Sequence, residues 1–96
     1  MVRVRLSSTA ADHLDRIFDH LARVDVNTAA ARCHVIRNAL SKLAQTPMIG
    51  RPVSSDIREL LIGSRHHGYI ARYRYVAGGD LVLILAIRSQ RQAGYP

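Results

Sequence analysis

A run of seven apolar side chains, Leu81–Ile87, is the segment that most constrains the fold of this chain. A run of this length suits a strand, and the preceding Gly78-Gly79-Asp80 is a strong hairpin signal. Strands without a polar position are typical of the middle of a sheet, where both faces are covered. The run therefore predicts a central strand that is buried on both faces and joined by a tight turn to the strand before it.

Three other segments are predicted to be strands. The first, Met1–Leu6, alternates arginine with apolar residues, which predicts a half-buried strand with a basic outer face. The second is the short segment Ile57–Ile62. The third, Tyr69–Val76, has tyrosine and alanine on one face and two arginines on the other, so its two faces are expected to differ in environment.

After the first strand, apolar residues follow the period of an amphipathic helix. A capping box at Thr9–Asp12 predicts the start of this helix, and Asp12, Asp15 and Asp19 are expected to complement its N-terminal dipole. Its apolar stripe consists of Leu14, Ile17, Phe18 and Leu21.

A second helix is expected after Asp25–Asn27, where the first pattern breaks. Asn27 or Thr28 is the predicted cap, and Pro47 is expected to end the helix. Its apolar stripe consists of Cys33, Ile36, Leu40 and Leu43. Because only a few residues separate the two helices, they are predicted to form an antiparallel hairpin.

The order of these elements indicates the fold class. A fixed, exposed turn is predicted at Gly50-Arg51-Pro52 and a further turn at Ser64–Gly68. The chain then has an N-terminal strand, an antiparallel helical hairpin and three antiparallel strands. We expect an α+β fold in which residues 1–96 form one domain and the sheet packs on the hairpin.

Positive charge is concentrated in the last third of the chain. From Leu60 to Pro96 the only acidic residue is Asp80, whereas five arginines occur there: Arg65, Arg72, Arg74, Arg88 and Arg91. The whole chain has a formal charge of +7, and 13 of its 14 basic residues are arginine. Because guanidinium groups form forked hydrogen bonds with carboxylates and phosphates, an acidic or polyanionic partner is predicted.

Several kinds of site have no signal in the sequence. His13 and His20 are seven residues apart and His66-His67 are adjacent, and neither spacing is typical of a metal site. These histidines are expected to be solvated or to contact a partner. No glycine-rich phosphate loop follows a strand, so no cofactor is expected. Cys33 lies in a helical apolar pattern and is predicted to be a core residue rather than a nucleophile.

Export and membrane signals are also missing from the sequence. The N-terminal segment alternates instead of forming an apolar block, which argues against a signal peptide, and no apolar run is long enough to span a bilayer. The single cysteine cannot form an intramolecular disulfide. A cytoplasmic protein is expected.

An arginine-lined sheet could cleave RNA without a metal ion. Such cleavage needs a base for the 2′-hydroxyl, cations for the phosphorane and an acid for the leaving oxygen. Arg74, Arg88 and Arg91 are candidate cations and Tyr95 is a candidate acid. The pair His66-His67 could supply the base only where its turn folds over the sheet. A basic face that is solvated or covered by a partner is therefore the favoured interpretation.

The order of the elements and several short motifs resembles the ParE toxins of the RelE/ParE superfamily over nearly the whole chain. The motifs are Pro47 with Gly50-Arg51-Pro52, Arg58-Glu59-Leu60, Tyr69 through Tyr73-Arg74, the apolar strand 81–87 and the ending Arg91-Gln92-Ala93-Gly94-Tyr95. Their shared order and spacing carry the resemblance.

The resemblance implies a toxin of a type II toxin–antitoxin module, of the kind associated with plasmid stabilisation. ParE toxins poison DNA gyrase, so the resemblance implies gyrase inhibition without catalysis, metal or cofactor. It also implies a hetero-oligomer with a cognate antitoxin. The formal charge of +7 matches an antitoxin segment that is acidic and partly disordered until it binds.

RelE-type relatives instead cleave mRNA in the ribosome and typically carry a catalytic Arg directly after the Tyr of a Gly-Tyr-Arg stretch. This chain has Gly68-Tyr69-Ile70, so that Arg is missing. Arg91 and Tyr95 resemble two other RelE-type positions, so a ribosome-dependent mRNA endonuclease is the first alternative. A binding module without toxicity, such as an inactive toxin or a nucleic-acid-binding domain, is the second.

Six residues are the candidates for contacts with a target or an antitoxin: Arg58, Arg72, Arg74, Arg88, Arg91 and Tyr95. Among them Arg74, Arg88 and Arg91 are expected to contribute most to docking on gyrase. A nuclease would use Arg91, Tyr95 and Arg74.

Overall fold

The computed structural model describes residues 2–63 and 68–91, which contain two α-helices and five strands. In chain order the elements are β1 (Arg3–Leu6), α1 (Ser8–Ala22), α2 (Val26–Ser41), β2 (Arg51–Pro52), β3 (Ile57–Ile62), β4 (Tyr69–Val76) and β5 (Leu81–Ser89). The predicted turn Ser64–Gly68, apart from Gly68, and the residues after Arg91, which include Tyr95, lie outside the described residues.

The five strands form one sheet in the order β1-β5-β4-β3-β2. β1 runs parallel to β5, and the other neighbouring strands are antiparallel. The α+β class, the helical hairpin and the antiparallel pairing of the last three long strands are confirmed. β5 has paired neighbours on both edges, as its apolar run predicted.

The stretch Gly50-Arg51-Pro52 was predicted to be a turn, and that prediction is wrong because β2 begins within it. Arg51 pairs with Glu59 and Pro52 with Arg58. Proline is compatible with this position because an edge strand has one side without ladder hydrogen bonds. β2 therefore covers a short part of one edge of the sheet.

The helical hairpin packs on one face of the sheet and forms the hydrophobic core with it. The buried core side chains are Ala10, Leu14, Cys33, Ile36, Leu40, Leu43, Ile62, Tyr69, Ala71, Tyr73, Val82, Ile84 and Ile87. Ile17 and Phe18 of the predicted first stripe are partly buried against this cluster. Because each strand contributes alternate residues, the core takes up only one face of the sheet.

β5 is not buried on both faces, so this part of the prediction is wrong. Val82, Ile84 and Ile87 face the helices and are buried. Leu81 and Leu83 lie on the opposite face and are only half-buried. Both helices pack on the first face, so no helix of the described residues covers the second face.

α1 begins earlier than predicted, because Ser7 caps it. The Ser7 hydroxyl accepts a hydrogen bond from the Ala10 N–H at 3.0 Å and donates one to the Leu85 carbonyl at 3.1 Å. Leu85 is the unpaired residue of a β-bulge in β5, so this cap also ties the helix to the sheet. The predicted capping box Thr9–Asp12 is therefore wrong. The first turn holds no acidic residue, so the predicted dipole interaction of the three aspartates is wrong as well.

α2 is capped by Asp25 rather than by Asn27 or Thr28. The Asp25 carboxylate accepts hydrogen bonds from the Thr28 hydroxyl at 2.9 Å and from the Asn27 N–H at 3.0 Å. These bonds lower the pKa of Asp25. At its other end α2 passes into a 3₁₀ turn, Lys42–Ala44. Pro47 follows that turn, so the prediction that it ends the helix is wrong.

The predicted hairpin between β4 and β5 is confirmed. Its turn is a single 3₁₀ turn, Ala77–Gly79, followed by Asp80 with φ of 47°. Aspartate is one of the few residues other than glycine that enter this left-handed region readily. The turn sets β5 antiparallel to β4, with Val76 aligned with Leu81.

Candidate functional site

The sheet face that the helices leave uncovered carries most of the arginines of the strands. Residues aligned across neighbouring strands lie on the same face, so the register assigns each arginine to one side. Arg3 is aligned with Leu81, Arg5 with Leu83, and Arg74 with Leu83 from the other side. This surface is termed the open face, and its arginines are Arg3, Arg5, Arg51, Arg72, Arg74 and Arg88.

A buried carboxylate lies among these arginines. Glu59 is only 5% exposed. Its Oε1 accepts a hydrogen bond from Arg51 Nη2 at 3.2 Å, and its Oε2 accepts one from Arg72 Nη2 at 3.0 Å. Arg72 Nε donates to the same Oε2 at 3.3 Å. Because an unpaired charge is costly away from water, Glu59 needs these donors, and it holds both arginines in place.

The second carboxylate beside the open face is Asp56, whose Oδ2 lies 3.0 Å from Arg74 Nε. Both side chains are about half exposed, at 57% and 45%, so this ion pair stabilises the fold little. Six arginines and two carboxylates leave the described open face with an excess of four positive charges.

Arg58 is the one arginine of the described strands that lies on the other side. Its Nη1 donates to the Met48 carbonyl at 3.0 Å and to the Gly50 carbonyl at 2.8 Å. Next to it, the buried Tyr73 hydroxyl donates to the Pro47 carbonyl at 2.7 Å and accepts the Gly50 N–H at 2.8 Å. These four bonds hold the loop of residues 47–50 against the sheet. Arg58 therefore has a structural role, and its predicted contact with a target stays a prediction.

Gly50 and Tyr73 fit closely in this loop. A Cβ added at Gly50 would lie 2.6 Å from Cε1 and from the hydroxyl of Tyr73, so a larger residue would displace the ring. Burial raises the pKa of the Tyr73 hydroxyl, and the Gly50 hydrogen bond and the charge of Arg58 oppose this in part. The hydroxyl therefore keeps its proton and continues to donate to Pro47.

A groove of about 460 Å³ lies between α1 and the ends of β4 and β5. It is termed the hairpin groove. Its apolar lining residues are Ile17, Leu21, Tyr69 and Ile87. Its polar and basic lining residues are His13, Arg16, His20, Arg32, Ser89 and Arg91. An apolar surface with cations around it suits a segment that carries both apolar and acidic side chains.

His13 is buried, so the expectation that it would be solvated is wrong. It is 4% exposed, and its Nδ1 accepts the N–H of Ile87 at 3.1 Å. Its position explains the burial, because Ala10 and Ile17 lie three residues before and four residues after it on the same helical face. The hydrogen bond joins α1 to β5. His20 is exposed, which agrees with the expectation.

The six predicted contact residues do not form a single site. Arg72, Arg74 and Arg88 lie on the open face. Arg91 lines the hairpin groove, and Arg58 binds the loop of residues 47–50. Tyr95 lies outside the described residues. The structure thus separates the basic residues into a sheet surface and a groove.

Arg74 and Arg91, the two described candidates for RNA cleavage, are far apart. Arg74 is aligned with Leu83, and Ser89 at the end of β5 is six positions further along that strand. Six positions correspond to about 20 Å in a strand. Arg91 follows Ser89 and lines the hairpin groove, whereas Arg74 lies on the open face, so the structure does not bring these two arginines together in one site.

In the part of the chain that the structure describes, no three His, Cys, Asp or Glu side chains are placed to hold a metal ion. Cys33 is buried, which raises the pKa of its thiol. A protonated thiol is a weak nucleophile, so the prediction that Cys33 is a core residue is confirmed. Over the same residues, neither α1 nor α2 has the length and apolar character of a membrane-spanning helix.

Three residues of these surfaces, Glu59, Arg16 and Arg32, were not predicted from the sequence to be part of a site. Glu59 is the only acidic residue in the described strands, and a lone carboxylate among strand arginines was a usable signal. Arg16 and Arg32 come from different helices. No sequence spacing relates them to Arg91, so the groove had no signal in the sequence.

Comparison with known proteins agrees with this architecture. The family model described as the ParE toxin of a type II toxin-antitoxin system, parDE, matches residues 4–94. Among solved structures, a chain of the chromosomal ParDE TA system from P. aeruginosa is similar, with a TM-score of 0.77 and 22% sequence identity. The match covers 93% of this chain and 96% of that chain. None of the curated protein sequences matches.

Proposed function

Because this chain belongs to the ParE toxins of type II toxin–antitoxin systems, we propose that it inhibits DNA gyrase and that a cognate antitoxin neutralises it. In this proposal the toxin docks on gyrase and stabilises the complex that holds cleaved DNA. It makes and breaks no bond itself. It acts in the cytoplasm, where gyrase and its DNA are found.

The observation that supports a binding mechanism is the distance between the cations that RNA cleavage would need. A nuclease site brings a base, an acid and cations to one phosphate. Here Arg74 and Arg91 are separated by about 20 Å of strand. The position of the catalytic Arg in RelE-type relatives is occupied by Ile70, which is 7% exposed and has no charge.

A gyrase assay tests this proposal. Purified toxin is expected to inhibit supercoiling by gyrase and to accumulate linear plasmid when the reaction is stopped with detergent. Relaxation by a type I topoisomerase serves as the control and is expected to be unaffected. An absence of both effects at concentrations that arrest growth contradicts the proposal.

A parallel assay tests the ribonuclease alternative. The message in a programmed ribosomal complex is expected to remain intact after incubation with the toxin. Cleavage that is lost in Arg91→Ala would instead establish the RelE-type activity and overturn the binding mechanism.

We further propose that the hairpin groove receives the antitoxin. Ile17, Leu21 and Tyr69 offer it an apolar surface, while Arg16 and Arg32 offer positive charge. An antitoxin segment that is disordered when free and carries both apolar and acidic side chains complements both features. Such a segment forms the hetero-oligomer that the family membership leads us to expect.

Charge reversal in the groove tests the antitoxin site. Arg16→Glu with Arg32→Glu is expected to weaken binding of the antitoxin encoded beside the toxin by at least tenfold, since like charges then face each other. Arg23→Glu with Arg37→Glu is the matched control, because both arginines are exposed and neither lines the groove. Equal affinity of all three proteins for the antitoxin contradicts this site.

A further inference from the structure

We infer that the open face binds the sugar–phosphate backbone of double-stranded DNA directly. The identity of that DNA rests on the proposed function: it is the duplex held by gyrase, with the toxin lying against both. Three properties of this face support the inference: its charge, the exposure of its arginines and the distribution of its apolar side chains.

The carboxylates of the open face are already paired with arginine. Glu59 is buried between Arg51 and Arg72, and Asp56 lies 3.0 Å from Arg74. Neither carboxylate faces an approaching phosphate without a cation beside it. With an excess of four positive charges among the described residues, the face attracts a polyanion.

Arg3 and Arg5 are the arginines most available to a ligand. Both are exposed, and their guanidinium groups form no ion pair or hydrogen bond with another described residue. They are two positions apart on β1, a spacing of about 6.6 Å. Arg74 lies two strands away from Arg5 in the same row, at about 10 Å. Forked donors at such intervals match phosphate oxygens along a backbone.

The distribution of apolar side chains on the open face favours DNA over a protein partner. Leu81, Leu83 and Ala86 lie along one strand and are only half-buried, and the exposed Leu61 and Val76 lie on two other strands. A protein partner obtains most of its affinity from large anchors in pockets, and the hairpin groove lies on the other side of the sheet. Backbone contacts to DNA require only positioned donors on an accessible surface.

Binding of the free toxin to a labelled duplex tests the inference. Affinity is measured by fluorescence anisotropy from about 50 to 200 mM salt, since each neutralised phosphate adds about 0.9 to the slope of log affinity against log salt. Arg3→Ala with Arg5→Ala is expected to reduce that slope by about two and to weaken binding equally for two unrelated sequences.

The matched control is Arg23→Ala with Arg37→Ala, which removes the same charge from exposed positions on the helices. It is expected to leave the slope unchanged. Circular dichroism and thermal unfolding confirm that both variants are folded. No binding of wild-type toxin to duplex DNA, or equal slopes for the two variants, overturns the inference.

The gyrase assay separates this inference from the proposed function. The Arg3/Arg5 variant is expected to keep its affinity for gyrase without DNA but to trap less cleaved DNA, with a deficit that is largest at low salt, where the lost phosphate contacts contribute most to binding. If wild-type toxin binds DNA through these residues and leaves gyrase unaffected, the proposed function fails and the DNA-binding face stands. If it traps cleaved DNA and the Arg3/Arg5 variant traps as much at every salt concentration, the proposed function stands and the inference fails.

Discussion

The two faces of the sheet are built from the same strands but carry different kinds of residue. On β4, Tyr73 is fully buried against the helices, while its neighbours Arg72 and Arg74 lie on the open face and are partly or largely exposed. Because successive strand residues point to opposite sides, a shift of one position changes a core residue into a charged surface residue. Core packing and surface charge are therefore assigned to alternate positions of one segment.

Two residues depart from this division and show its physical basis. Glu59 lies on the open face but is buried, because Arg51 and Arg72 cover and neutralise it. Arg58 lies on the helix side at the edge, where it binds carbonyl groups of a loop. Burial of a charged side chain on the open face thus depends on ion pairing, whereas the core on the helix side depends on apolar packing.

The largest decrease in the free energy of unfolding is expected for substitutions on the helix side, at Tyr73. Tyr73→Ala is expected to reduce the free energy of unfolding by about 4 kcal/mol, because it leaves a cavity the size of a ring. Tyr73→Phe keeps the ring but leaves the Gly50 N–H and the Pro47 carbonyl without their partner, at a cost of about 2 kcal/mol. Urea unfolding measures both values. An effect of Tyr73→Ala below that of an open-face substitution would remove the distinction between the faces.

The second largest decrease in the free energy of unfolding is expected for a substitution on the open face, at Glu59. Glu59→Gln is expected to cost about 2 kcal/mol, because two arginines then surround a buried neutral group that cannot satisfy both. Asp56→Asn is the control, since its ion pair with Arg74 is exposed and the loss is expected to stay within about 0.5 kcal/mol. Equal losses for the two variants would show that burial of Glu59 has no energetic role.

A smaller effect is expected at alkaline pH. The pKa of Tyr73 is raised from 10.0 by burial, so the folded chain keeps this proton at pH values where the unfolded chain has lost it. The contribution to stability is therefore complete below pH 10 and decreases as the pH rises beyond it. Tyr73→Phe has no such proton, so its unfolding free energy is expected to decrease less steeply. The same pH dependence of the unfolding free energy in the wild-type protein and in Tyr73→Phe would contradict a raised pKa at Tyr73.

The smallest effect on stability is expected at Arg74. Arg74→Ala is expected to change the free energy of unfolding by less than about 0.5 kcal/mol, because the side chain and its partner Asp56 are both exposed to solvent. The same variant is expected to weaken DNA binding and its salt dependence. A loss of stability comparable to that of Glu59→Gln would show that the open face is also a structural surface.

The parts of the fold that could be predicted are those set by local periodicity. The alternation in Tyr69–Val76 and the apolar run Leu81–Ile87 identified β4 and β5, and the helical stripes identified the hairpin. The helix caps could not be predicted, because Ser7 and Asp25 compete with other capping residues nearby. Ser7 is used because its hydroxyl also reaches β5, a long-range contact without a local signal.

The sequence allowed several residues of the candidate surfaces to be predicted, but not their positions relative to one another. The arginines of β4 and β5 were predicted from charge to be contact residues, and their contacts with a partner stay a prediction. Their separation from Arg91, the structural role of Arg58 and the burial of Glu59 depend on strand register and on loop contacts. Register is set by pairing between distant segments, and the bulge at Leu85 shifts it by one residue.

The parallel pairing of β1 with β5 has a consequence for the time at which the toxin becomes active. β1 is paired with β5 and with no other described strand. The pairing of Arg3 with Leu81 can therefore form only after Leu81 has been translated. Such long-range pairing is slow, and here it joins the first strand to the last. We expect nascent chains arrested before residue 81 to stay sensitive to protease. Only a chain translated past residue 81 can present Arg3 and Arg5 beside Arg74, and the hairpin groove, which includes Ile87, is completed at the same late stage.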